Sequence, residues 1–206
     1  MFKSFLLAVV FTLLISVLSG WVVKESFSNP LITVEGQAGS YKMNYRVRDR
    51  SDRVLAANTL ARLTQSLNSV IIAFENDAKL GRKHADKIAF LKSNWKPENI
   101  EESDPDSNTT SYSLNKGNKL VFCIRHKDDD GTFVDDNTLV FVGIHELAHL
   151  MTTEVGHTPL FWSNMKILLE VAVKQGIYKA ENYEASPKKY CGIEITNSPL
   201  NDSDIN

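Results

Sequence analysis

The segment from Asn137 to His157 constrains this chain more than any other. Leu139, Val140, Phe141, Val142 and Ile144 make it apolar enough to be a buried helix, and Asp136 or Asn137 can cap its start. Into that helix the sequence sets His145 and His149, four residues apart, so both imidazoles leave one face a turn apart and can converge on a single ion. Glu146 is turned by about 100° from His145, which keeps it out of the coordination shell but near enough to take a proton from water at the ion. This is the H-E-x-x-H pattern of zinc sites.

A tetrahedral catalytic zinc takes three protein ligands and leaves the fourth position to water. His157 is the expected third ligand. Gly156 is predicted to end the helix in a left-handed turn, and Thr158 and Pro159 to cap and open a helix over residues 159–175. That helix carries Phe161, Trp162, Met165, Leu168, Leu169 and Ala172 as packing residues. Glu154 and Glu170 are the competing third ligands. One Zn2+ per chain is the expected cofactor.

With Gly156-His157-Thr158-Pro159-Leu160-Phe161-Trp162 following His145–His149, the chain resembles the minimal zinc metallopeptidases of the SprT and WLM type within the zincin group. It resembles more broadly the small predicted metallopeptidases encoded by large DNA viruses and some microbial eukaryotes. The likeness runs from about Ser111 to Pro199. It implies a zincin-like fold, one zinc ion held by His145, His149 and His157, and peptide-bond hydrolysis with Glu146 as general base. Two departures stand out: seven residues separate His149 from His157, longer than in the SprT and WLM groups, and Thr152 stands where metzincins carry glycine.

The rest of the chain reads as α+β, with the active-site helix and further helices packed against a small antiparallel sheet. A short strand is expected at Leu31–Val34, and Tyr41, Met43, Tyr45 and Val47 alternate with polar, mostly cationic residues as in a half-buried strand. Asp52 can cap a long helix that Gly81 would end, and a second helix is expected from Arg82 to Trp95. His84 and His126 have no ligand partners nearby in sequence and read as packing or surface residues. The polar run 101–108 reads as a loop. Ser111–Leu114 and Lys119–Arg125 read as a hairpin whose second strand could offer its edge to an extended peptide. Tyr178, Tyr183 and Tyr190 are candidate oxyanion donors. Cys123 and Cys191 either pair or stay as two buried thiols.

Phe5–Val23 is free of charge and, as a helix, covers about 28 Å, enough to span a bilayer. A cleaved signal peptide is the rival reading. The expected organisation is an anchor or signal segment at 1–24, a juxtamembrane linker at 25–39, a metallopeptidase domain at 40–200 and a disordered tail at 201–206. The corresponding placement is a single-pass membrane protein with its domain outside the cytoplasm, or a secreted one if the segment is cleaved. Expected partners are a peptide or protein substrate and, through residues 5–23, the lipid bilayer. Nucleic acid is not expected, because the formal charge is −2. The alternative to an enzyme is a non-catalytic, membrane-anchored binding protein in which zinc only stabilises the fold.

Overall fold

The computed structural model describes residues 31–104, 109–127 and 131–205. The strands are β1 (Leu31–Ala38), β2 (Tyr41–Arg48), β3 (Ile100–Glu102), β4 (Tyr112–Leu114), β5 (Lys119–Phe122), β6 (Lys188–Tyr190) and β7 (Ile193–Ile195). The helices are α1 (Arg53–Asn76), α2 (Leu80–Lys83), α3 (Ala85–Asn94), α4 (Asp136–Met151) and α5 (Pro159–Lys174).

The main sheet has the order β1-β2-β3-β5-β4. It is mixed, not antiparallel: β1 with β2 and β4 with β5 are antiparallel, while β3 runs parallel to both β2 and β5. The parallel β2–β3 pair follows from its connection. Helices α1 to α3 lie between β2 and β3, and a helical crossover returns a strand in the direction of the one before it. β6 and β7 form a separate hairpin. β5 lies between β3 and β4, so the expected offer of its edge to a peptide does not hold; β4 is the edge strand on that side.

β1 is a full strand that pairs with β2 along its whole length, twice as long as its sequence suggests. Its inward positions Ile32, Val34, Gly36 and Ala38 alternate with the exposed Thr33, Glu35 and Gln37, but the last two inward residues are too small to signal burial. They are small because α1 presses on the strand: a Cβ at Gly36 would lie 2.1 Å from the Ala57 carbonyl oxygen.

α1 buries Leu60, Leu63, Leu67, Val70, Ile71 and Phe74, an apolar stripe along one face of the helix. Asp52 occupies its N-cap position but makes no capping hydrogen bond; its carboxylate turns to Arg125 instead. The helix ends at Asn76, before Gly81, because Asp77 Oδ1 accepts from the amides of Lys79 and Leu80 at 3.0 and 2.9 Å and starts α2. His84 breaks the expected second helix into α2 and α3 and packs beside Phe74, 6.0 Å between rings.

β3 emerges from the run that reads as a polar loop. Glu101 pairs with Arg46 at 3.0 Å and Lys119 at 2.6 Å. Glu102, fully buried, accepts from Arg125 Nε at 2.7 Å and from the Arg48 amide at 2.9 Å. Arg125 is itself fully buried and stacks over the Phe133 ring at 4.3 Å. The cations of β2 therefore face carboxylates: besides Arg46 and Arg48, Lys42 lies 3.8 Å from Glu35. Cys123 and Cys191 form a disulfide, which ties the β6–β7 turn to the end of β5.

The expected transmembrane segment, Phe5–Val23, lies outside the described residues. Among the described residues no helix is long and apolar enough to cross a membrane, and this corrects the expectation of a transmembrane helix ahead of the domain and of a single-pass membrane placement. The longest helix, α1, fails on composition: Arg53, Arg62 and Glu75, with asparagines, serines and threonines between them, interrupt its apolar stripe.

Candidate metal centre

α4 is the element on which the site is built. Its cap is Asp135, one residue before those read from sequence; Asp135 Oδ1 accepts from the Thr138 amide at 3.0 Å. Asp136 in the first turn instead pairs with Arg62 of α1 at 2.9 Å. Twelve of the helix's sixteen residues are buried, so α4 runs through the interior and shows water only a narrow strip that carries His145 and His149. Gly143 lets α1 come close, since a Cβ there would lie 2.8 Å from Leu67 Cδ2.

The helix ends at Met151, earlier than Gly156. Thr152 turns extended, at φ −95° and ψ 128°, and its hydroxyl donates to the Ala148 carbonyl at 2.7 Å while accepting from Asn164 at 2.9 Å. Residues 152–157 form an exposed loop apart from Thr152, with Gly156 at φ 86°. Thr158 then caps α5, accepting from the Phe161 amide at 3.4 Å, with Pro159 in the first turn. The loop returns His157 to α4.

The three histidines meet. Their ring centroids form a triangle with every side 4.9 Å. One nitrogen from each ring can be chosen so that all three lie within 4.8 Å of one another, and His145 Nε2 is 3.0 Å from His157 Nε2. A tetrahedral zinc with bonds of about 2.0–2.1 Å requires donor separations of about 3.3–3.4 Å, so small ring adjustments satisfy it. Neither Glu154 nor Glu170 joins the group; both are exposed.

Burial, followed by the charge of the neighbouring imidazoles, lowers His145 to about 3. Burial, then His157 and Lys116, lowers His149 to about 4. Both rings are therefore neutral at pH 7, the form that ligates a cation. Glu146 is 4% exposed and burial raises it to about 7, against the opposing hydrogen bond of Ser113 on β4. Its Oε2 is buried without a hydrogen-bond partner. Three converging imidazoles next to a buried carboxyl with an idle oxygen fit a divalent cation with water beside it.

Three further residues support the triad in ways that the sequence pattern does not reveal. Phe161 reads as a packing residue, yet its ring lies 4.9, 4.3 and 4.7 Å from the rings of His145, His149 and His157 and forms the floor of the triad. Trp162 stacks on His157 at 5.5 Å. Lys116, in the β4–β5 turn, donates to the carbonyls of His149 at 3.3 Å, of Thr152, and of Glu154 at 3.0 Å. Of the candidate tyrosines, Tyr178 and Tyr183 turn their hydroxyls to each other at 3.0 Å beside Phe141. Tyr190 is buried with its hydroxyl on Ser111.

No family model matches the chain, and no solved structure matches it. It is similar to an uncharacterized protein of Acanthamoeba polyphaga mimivirus, 37% identical over 94 residues, which are 46% of this chain and 47% of that one. It is also similar to an uncharacterized protein of Invertebrate iridescent virus 6, 38% identical over 39% of this chain and 44% of the other. A third, from Invertebrate iridescent virus 3, is 35% identical over 40% of this chain and 50% of its own length. The chain thus spans about half the length of the curated relatives it matches, and those relatives are viral. The SprT and WLM part of the expected resemblance gains no match.

Proposed function

We propose that the chain is a zinc-dependent metallopeptidase that hydrolyses a peptide or protein substrate. The observation that carries this reading is the convergence of His145, His149 and His157 beside the buried, half-unpartnered Glu146. When bound, a zinc ion supplies Lewis acidity, lowering the pKa of water and polarising the carbonyl to be attacked. The three imidazoles would hold it, and Phe161 against His149 and Trp162 stacked on His157 limit the turning of those rings.

Glu146 is the general base. A buried carboxyl beside the triad, with one oxygen free of hydrogen-bond partners, can take the proton of the attacking water and return it to the leaving amine. Ser113 holds the Glu146 carboxyl from the edge strand. The open fourth position separates this reading from a zinc-stabilised binding protein: among the described residues the group that could hold an ion contains three side chains and no fourth.

The test uses the full chain. Metal analysis is expected to give one zinc per chain, and casein cleavage to fall by at least about 100-fold in Glu146→Gln with zinc retained. Unchanged proteolysis in that variant would refute the assigned base, and zinc-loaded protein without proteolysis would favour the binding protein.

A further inference from the structure

A cavity of about 210 Å³ opens beside the triad, and His145 and Glu146 form one side of it. Val142 and Phe141 from α4, Trp162 and Met165 from α5, and Ile193 and Ile195 from the β6–β7 hairpin supply its apolar walls. Larger cavities, of about 720, 630 and 380 Å³, lie elsewhere; the first shares only Trp162 and Asn197 with this one, and the other two share nothing.

Size and lining select the occupant. The cavity is below the about 300 Å³ at which drug-sized ligands are usually taken, but above the about 150 Å³ apolar cavity that holds one benzene ring. One large side chain fits. A carboxylate entering it would meet Glu146 and Glu194 at the lining, and an ammonium, though it would find those two acids, would lose its hydration against the six apolar side chains. The hairpin wall is fixed in place, because Cys191 is bonded to Cys123 and the Tyr190 hydroxyl is held by Ser111.

We propose that this cavity seats one large apolar side chain, such as Leu, Met or Phe, from the substrate residue next to the cleaved bond. This rests on the peptidase reading above. The residue must adjoin the bond because Glu146 has to reach the attacking water within hydrogen-bond distance while lining the same cavity. Val142 and Ile195 are then specificity-determining residues, since both line the cavity and neither is a ligand or the base.

The experiment has two arms. In the first, the zinc-loaded full chain digests an unfolded protein and the cut sites are sequenced; Leu, Met or Phe is expected over Ala by at least about 10-fold, and over Asp by more. Val142→Phe and Ile195→Trp fill the cavity and are expected to shift the preference toward Ala by about 10-fold; Ile195→Trp, in the part-exposed hairpin, is the variant for use if Val142→Phe does not fold. Cleavage without side-chain preference, a preference for charged residues, or a preference that neither filled variant changes would overturn the proposal and leave the peptidase reading standing. In the second arm, the tryptophan fluorescence of Glu146→Gln, to which Trp162 at the cavity wall contributes beside Trp21 and Trp95, is titrated with N-acetylphenylalanine amide and N-acetylalanine amide. A change saturating with the former alone, and lost with the filled cavity, supports the pocket without any turnover. Absence of all cleavage would overturn the peptidase reading and with it the assignment to a cleaved substrate, while a saturable response to the phenylalanine amide would still establish the apolar pocket and an unchanged fluorescence would overturn that too.

Discussion

Replacing Lys116 by Met isolates one ammonium that holds the third ligand in place. Lys116 sits in the left-handed region at φ 53°, next to Asn115 at φ 46°, and the hairpin bears that backbone cost of about 1–2 kcal/mol at each position. Methionine keeps the same backbone cost and the same apolar stem, so only the charge and its three carbonyl contacts are lost. Those contacts bind the last turn of α4 and two positions of the loop that carries His157. A hydrogen bond from a charged donor contributes about 1.5–3 kcal/mol where water is excluded, and less here because the turn is part-exposed. A total of about 2–3 kcal/mol is expected. Loss of a group that orients a metal ligand typically weakens metal binding about 10–100-fold, which is about 1.4–2.7 kcal/mol and agrees with the count of bonds.

The assay is zinc competition against a chelator of known affinity, run on wild type, Lys116→Met, His157→Ala and the double variant. Lys116→Met is expected to weaken zinc binding about 10–100-fold. In the His157→Ala background it is expected to cost little more, because a residue that acts through the loop has nothing left to position. Full additivity of the two losses, or zinc affinity within about twofold of wild type in Lys116→Met, would refute the reasoning.

Other consequences follow from the core and the site. Arg125→Met strands Glu102, fully buried, and should cost about 3–5 kcal/mol, a fall in Tm of about 6–20 °C by calorimetry; a shift under about 3 °C would show that Arg48 alone satisfies that carboxylate. Replacing Cys123 and Cys191 by Ser opens a closure of 68 residues and should lower stability by about 4 kcal/mol in denaturant melts, whereas an unchanged midpoint would mean that packing alone holds the hairpin. In the zinc-free protein, folded His145 and His149 titrate at about 3 and 4 and their unfolded counterparts near 6.5, so their contribution is full above about pH 6.5 and is lost as pH falls toward those values. Glu146 opposes them, because folding raises it to about 7 and the folded state holds its proton where the unfolded state has released it. Between about pH 4.5 and 6.5 the unfolded state therefore binds about one more proton from this trio, and stability should fall by about 1.4 kcal/mol per pH unit as pH drops. His145→Gln should flatten that slope; an equal slope in the variant would remove the histidine from the explanation.

Local sequence rules account for the shared face of the α4 histidines and for the elements that follow period or cap. Histidines four apart on an apolar helix must share a face, and Thr158-Pro159 must open a helix, because both rules act within a turn or two of backbone. The stripe of α1 and the β4–β5 hairpin obey the same local logic. What escaped local logic depended on partners distant in sequence. Glu101 and Glu102 look like loop residues until Arg46, Arg48, Lys119 and Arg125 neutralise them and let β3 lie buried between parallel neighbours. Gly36 and Ala38 look like a linker until α1 closes over them. The parallel pairing, the disulfide, and the roles of Lys116 and Phe161 around the triad likewise belong to the tertiary structure. Spacing shows which side chains one helix can present, but which groups are desolvated together, and so what charge they keep, is settled only where the chain folds back on itself.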